Sequence, residues 1–287
     1  MIKKKIALCL FGTFFKYKDN NNKKKGSNIY YDPEILYQDI LKNLIQKYDV
    51  DIFLHTWKNK YQFRLLKFIK PKNFLIEKPK KPKFSLLDFK LNYLDYFDDI
   101  HKLKESGKNP NRVYQDKIYR ANSRWYSQCK SLELMLNYKL KKKINYKFVI
   151  QSRFDLKFNK KIDLDKLDTK LLHIVKYRKT NESRLNDIFF ISNFKNSIKF
   201  MDIYRKLNEY PIDPPQLLKI FLKNNKIKFK ETFSFKDIMI YRFHETFYKI
   251  KINKKISRKF YILAYNFFSK LYIFNKKLIL KLEKKII

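Results

Sequence analysis

Ile6 to Phe11 is an apolar and aromatic run of strand length, and Val50 to Leu54 is another. Between them Ile35, Leu36, Ile40, Leu41, Leu44 and Ile45 recur at the spacing that gathers side chains on one helical face. Asp32-Pro33 ahead of that stretch supplies an N-cap and a first-turn proline. Strand, helix, strand in direct succession is a βαβ unit, and it argues for a parallel sheet with helices on its faces. A chain of 287 residues has room for one large α/β domain, or for such a domain with a small appendage.

Downstream the same reading extends the sheet. Phe74 to Ile76, Phe148 to Ile150, Leu172 to Val175, Ile188 to Ile191, Lys226 to Phe229 and Ile238 to Arg242 read as strands. A long helix from about Val113 to Lys142 carries Trp125, Cys129, Leu132, Met135 and Leu136 at core spacing. Helices are also expected at Phe194 to Leu207 and, after Pro214-Pro215, at Gln216 to Asn224. The Asn- and Lys-rich stretch from Lys16 to Asn28 reads as a loop, and Phe84 to Lys104 as weakly helical.

A formal net charge of +40 would fit a nucleic-acid partner, but the charge comes from 57 Lys against only 10 Arg. With abundant Asn, Ile, Phe and Tyr and 3 Gly, that is the bias an A/T-rich coding sequence imposes, so most of the lysine reads as solvated surface. The aromatics sit in core-like strands and helices, and no RNP, KH, zinc-finger or helix-turn-helix signature is present. No specific nucleic-acid partner is expected. The two cysteines, Cys9 and Cys129, offer neither zinc spacing nor a disulfide framework, which fits a reducing cytoplasm. The start, MIKKKIALCLFGTFF, imitates a signal peptide but lacks an A-x-A site, and reads as a first core strand after a basic start.

The rare residues carry the chemistry. Arg153 and Asp155 bracket Phe154 where the strand from Phe148 ends, and that edge of an open α/β sheet is where ligands bind. A carboxylate there can hold a divalent cation and an arginine can fork onto phosphate; the plainer alternative is an ion pair closing the strand. Arg112, Arg120, Arg124, Arg153, Arg178 and Arg184 cluster in one span of a lysine-rich chain, which points to bidentate work on phosphate or carboxylate. Gly12-Thr13 directly follows the first strand, either as a tight exit or as a turn that lets backbone approach a ligand.

Four stretches taken together carry a family resemblance. They are KIALCLFGTFF; VDIFLHTW; SRWYSQCKSLELMLNYKL followed by YKFVIQSRFDLKF; and LNDIFFISNFKNSIKFMDIYRKL. In that order the chain resembles bacterial capsule- and lipopolysaccharide-type sugar transferases with a GT-A-like fold. The resemblance implies a mostly parallel, Rossmann-like sheet flanked by helices in a domain spanning 1–252. It also implies a nucleotide-sugar donor across the N-terminal half and a divalent cation, Mn or Mg, at the acidic turn. Asp155 is then the metal or ribose-diphosphate contact, steadied by Arg153, with Gly12, Thr13, Arg120 and Arg124 on the donor. His55 and Trp57 close strand two at the same edge, where Trp57 either stacks on a base or packs in the core.

Glycosyl transfer needs the leaving diphosphate neutralised and an acceptor hydroxyl deprotonated. Asp187 is the candidate base, with Asn186 orienting substrate; a plain turn before the next strand is the alternative. His244 either completes a metal shell as neutral imidazole or is a surface histidine. Two departures from the family pattern stand out: the acidic turn is R-F-D and not D-x-D, and Thr13-Phe14-Phe15 replaces a polar or basic residue after Gly12. A phosphosugar transferase of the same pathways would use the same arginines.

The stretch 253–287 reads as a basic amphipathic helical tail. Phe260, Tyr261, Leu263, Phe267, Phe268, Leu271 and Tyr272 make its apolar face, with lysines spaced among them. Its apolar runs are far too short to span a bilayer, so it is expected to lie on an anionic membrane surface at the cytoplasmic face, beside a glycan or lipid-linked acceptor. Packing back on the core or on a second subunit is the alternative.

Overall fold

The computed structural model describes residues 5–12, 17–18, 28–29, 33–58, 62–85, 88, 107, 109–176 and 184–240. All of them belong to the first of two units into which the chain divides, Met1–Ile240. Thr13, His244 and the tail 253–287 lie outside the described residues.

The chain is α/β. A seven-stranded sheet runs in the order β5 (Asn73–Glu77), β4 (Asp49–Trp57), β1 (Lys5–Gly12), β6 (Phe148–Arg153), β9 (Phe189–Ser192), β8 (Leu172–Val175), β10 (Phe229–Phe233). The first four strands are mutually parallel. Strand β9 is antiparallel to both β6 and β8, and β10 pairs parallel with β8, so β9 alone is reversed. The βαβ start is present as β1, helix α1 (Pro33–Ile40) prolonged by a wide turn at Leu41–Ile45, and β4. Strand β1 is buried from Ile6 to Phe11 because both sheet faces are covered, which is why it reads as a continuous apolar run without alternation.

One face carries α3 (Pro110–Lys142), whose Ala121, Trp125, Cys129, Leu132 and Met135 pack with Cys9, Phe53, Val149 and Phe190. The other carries α1 and α2 (Gln62–Ile69), where Leu44, Leu65 and Ile69 pack with Leu8, Leu10, Leu54 and Ile150. Helix α3 starts where Asn109 accepts the Arg112 N–H with Pro110 in the first turn, and stops at Lys143, which turns left-handed at φ +51°. Three short segments follow β9: α4 (Phe194–Lys199), α5 (Met201–Arg205) and α6 (Pro214–Asn224), the last capped by Asp213 on the Gln216 N–H.

Several boundaries differ from expectation. The Lys16–Asn28 loop is closed at its ends by a ribbon of β2 (Tyr17–Lys18) and β3 (Asn28–Ile29). The helix expected over Phe194 to Leu207 is broken into α4 and α5, followed by a single 3-10 turn. The strand expected at Lys226 begins later, because Lys226 is left-handed at φ +51° and turns the chain after α6. Strand β11 (Ile238–Ile240) does not join the main sheet; it pairs antiparallel with β7 (Leu156–Phe158), directly after Asp155. No helix among the described residues is long and apolar enough to cross a membrane.

Candidate functional site

Parallel strands bring their carboxyl ends to one edge. Gly12 lies opposite Thr56, and Phe11 opposite both His55 and Arg153. Because β9 is reversed, its beginning meets the same edge: Ser152 pairs with Phe189, and the Arg153 N–H donates to the Ile188 carbonyl at 3.3 Å. Gly12, Arg153, Asp155, Asn186 and Asp187, dispersed in sequence, therefore share one rim, with His55 and Trp57 buried behind it.

Arginines organise that rim. Arg153 meets Asp155 side-on, with Nε on Oδ1 at 2.8 Å and a terminal nitrogen on Oδ2 at 2.6 Å. Arg124, reaching down from α3, donates through Nε to Asp187 Oδ2 at 3.3 Å, and also to the Asp187 carbonyl and to Gln128 Oε1. Its guanidinium lies 4.3 Å from the Phe11 ring centroid and 4.5 Å from that of Trp125. Burial pulls the Arg124 guanidinium down to about 10, against Asp187, so it stays cationic at neutral pH. Burial also works against the Arg153 charge, but Asp155 outweighs it and holds the group above its usual value. Two cations and two carboxylates thus form a compact quartet. Gln128 continues inward, donating to Gln151 Oε1, while Gln151 Nε2 is buried with no partner among the described residues.

Arg120, one turn before Arg124, is exposed. Asn186 is 6% exposed, and its Oδ1 accepts the Ile188 N–H at 3.2 Å, so it shapes the entry to β9. Arg184 adds a further pair, 3.3 Å from Asp213.

Beneath the rim lies a network that sequence reasoning did not find. His55 is fully buried, with Nδ1 2.7 Å from Ser127 Oγ and Nε2 3.1 Å from Glu77 Oε1. Ser127 Oγ accepts the Gly12 N–H at 2.7 Å. Tyr126 donates to Glu77 at 2.7 Å, and Lys80 reaches both Glu77 and Tyr126. Burial pushes the His55 ring down to about 4 despite Glu77, so it is neutral at pH 7. Burial also opposes the Glu77 charge, but hydrogen bonds from Lys80, Tyr126 and His55 prevail and hold the carboxyl at about 2. The serine–histidine–carboxylate sequence is not a nucleophilic triad: Ser127 is 0% exposed and its oxygen is occupied by the Gly12 amide. Trp57 lies against Tyr126 in a stacked pair with centroids 5.6 Å apart, so one face of its indole is already covered.

Among the described residues no three His, Cys, Asp or Glu side chains converge as a cation site. Asp155 has both oxygens on Arg153, and Asp187 is bound by Arg124, so each carboxylate of this rim is paired with a guanidinium.

No protein-family model matches the chain, and a search of curated proteins finds no match either.

Proposed function

We propose that the chain is a glycosyltransferase that moves a sugar from a nucleotide-sugar donor to a growing surface glycan of the capsule or lipopolysaccharide kind. The observation that carries this reading is the rim itself. Gly12, Arg124, Arg153, Asp155 and Asp187 come from four separate parts of the chain to the carboxyl edge of an open sheet, where ligands of such folds bind. A mostly parallel sheet with one reversed strand supports the GT-A-like version of the fold.

In this reading the donor's diphosphate lies across the rim. Arg153 exchanges part of its Asp155 fork for phosphate oxygens, and Arg124 supplies a second fixed positive charge as the leaving group develops its own negative charge. Arg124 takes Oδ2 of Asp187, and the other oxygen would accept the proton of the attacking hydroxyl. The acceptor is a glycan or a lipid-linked sugar, and the 253–287 tail would hold the enzyme to an anionic membrane surface.

The test is a thermal-shift screen of UDP-, GDP-, CMP- and ADP-sugars with and without Mn²⁺, beside generic RNA. One nucleotide class should raise the melting temperature with concentration, as a ligand specific for the folded state must, because at a hundred times its Kd it adds about 2.7 kcal/mol to the unfolding free energy. A chain stabilised by RNA and by no nucleotide-sugar would overturn the reading in favour of nucleic-acid binding.

A further inference from the structure

We propose that Ser127 is a positioning residue for the donor: its hydroxyl, oriented by His55, fixes the Gly12 peptide against which the diphosphate lies. The inference rests on the nucleotide-sugar reading.

The Glu77 carboxylate, held ionised, can only accept, so the proton of the neutral ring sits on His55 Nε2 and points at Glu77. His55 Nδ1 must then accept, and the group 2.7 Å away that can donate to it is the Ser127 hydroxyl. The His55 carbonyl is a second acceptor for that hydroxyl but lies 3.4 Å away, so the proton goes to Nδ1; Ser127 Oγ then offers lone pairs, and the Gly12 N–H takes one at 2.7 Å. The chain of donors runs one way, from Gly12 through Ser127 and His55 to Glu77. It ties together the ends of β1, β4 and β5 through a single turn of α3.

Gly12 is the member next to the rim. It adopts φ +97°, a conformation that favours glycine, and a Cβ built there would meet no described residue within 4 Å. Among the described residues, glycine is therefore required by the backbone turn and not by crowding. Its own amide, being bound to Ser127, is not a phosphate donor. What Ser127 controls is the orientation of the Gly12 turn. Removing the hydroxyl leaves the Gly12 N–H and His55 Nδ1 both without their partner beneath the rim.

The sequence provides a direct readout, because the whole chain contains 3 glycines. Full-length protein labelled with ¹⁵N-glycine gives one amide signal for each, and Gly26→Ala and Gly107→Ala assign the signal of Gly12 by elimination. UDP-glucose, GDP-mannose, ADP-glucose and CMP-N-acetylneuraminate serve as probes, with Kd, donor KM and kcat measured in parallel. In the parent, one probe should move the Gly12 signal. In Ser127→Ala that signal should shift and its hydrogen exchange accelerate by about tenfold. Kd and KM for the probe should rise by about fivefold to tenfold while kcat changes little. Ser127→Thr, which keeps the hydroxyl, should restore both. Should the alanine variant not fold, Ser127→Cys is measured in its place.

A Ser127→Ala protein that binds the probe as tightly as the parent overturns the positioning role and leaves the donor reading intact. A parent that binds no probe overturns the donor reading itself.

Discussion

Arg124 in the middle of α3 closes on Asp187 at the entry to β9, Nε to Oδ2 at 3.3 Å, with the two side chains only 10% and 15% exposed. The pair joins the long helix to the one reversed strand of the sheet. It is held on the helix side by Gln128 and on the flat side by Phe11 and Trp125. A guanidinium can satisfy all of these at once because its donors are spread around a plane; an ammonium cannot.

Arg124→Lys should therefore weaken both the fold and the donor site. The charge on Asp187 is still met, but the bonds to its carbonyl and to Gln128 are lost. We expect unfolding free energy to fall by about 1–3 kcal/mol and donor KM to rise by roughly tenfold. Urea denaturation and steady-state kinetics on the same preparation check both. Parental KM together with parental stability would show that the planar fork is not needed there.

Asp155 separates chemistry from folding. Asp155→Asn keeps the shape of the turn and loses the charge facing Arg153, in a pair that is 14% and 25% exposed. Turnover should fall by about a hundredfold or more, while the melting temperature moves by only a few degrees. An Asp155→Asn enzyme with full activity would remove this residue from the site. Parental activity with a divalent chelator present would bear separately on the cation expected from the R-F-D turn.

Much of this arrangement was legible in the sequence, for a physical reason. Strands buried on both faces are unbroken apolar runs, so β1, β4, β6, β8 and β9 stand out, as does the abrupt change to charge at Arg153 and Asp155. What the sequence hides is polar structure inside the core. Ser127, Gln128 and Ser131 are buried on α3, yet read alone they resemble any solvated helix position. The signal that could have found them is their spacing with Arg124, which forms a polar stripe alongside the apolar one on a helix with no exposed residue from Ala121 to Leu136. Helix α2 was missed because only Leu65 and Ile69 are buried in a stretch otherwise carrying Arg64, Lys67 and the exposed Phe63. Strand β7 was missed because three residues have no period to read, and so the strand expected at Ile238 reads as part of the main sheet and not as the partner of β7.

The two thiols make a simple test of the core. Burial pushes the Cys129 thiol up to about 12, with Glu133 acting in the same direction, and raises Cys9 further still. A thiol reagent such as DTNB should find no reactive group in the folded protein at pH 8 and two after unfolding in guanidinium. Rapid labelling of either cysteine under native conditions would contradict the packing of α3 on β1.

The His55 network also sets a pH dependence whose sign can be worked out. Folded His55 is held down at about 4, whereas an imidazole in the unfolded chain titrates near ~6.5. Between those values the unfolded chain binds a proton that the folded chain refuses, so stability rises with pH across that window and is lost as pH falls from about 6.5 to about 4. Glu77 acts lower down. Its folded carboxyl is held at about 2, so its contribution is present above the unfolded value near ~4.3 and is lost only as pH drops below that. The two windows barely overlap, and pH 5 isolates the histidine. His55→Gln removes the titrating ring and keeps an amide that can donate to Glu77. Measured by urea unfolding, the parent should lose about 2 kcal/mol relative to this variant between pH 7 and pH 5. A gap that stays constant, or moves in favour of the parent in acid, would mean that the folded protein accepts a proton on His55. The one-way chain of donors from Gly12 to Glu77 would then have to be abandoned.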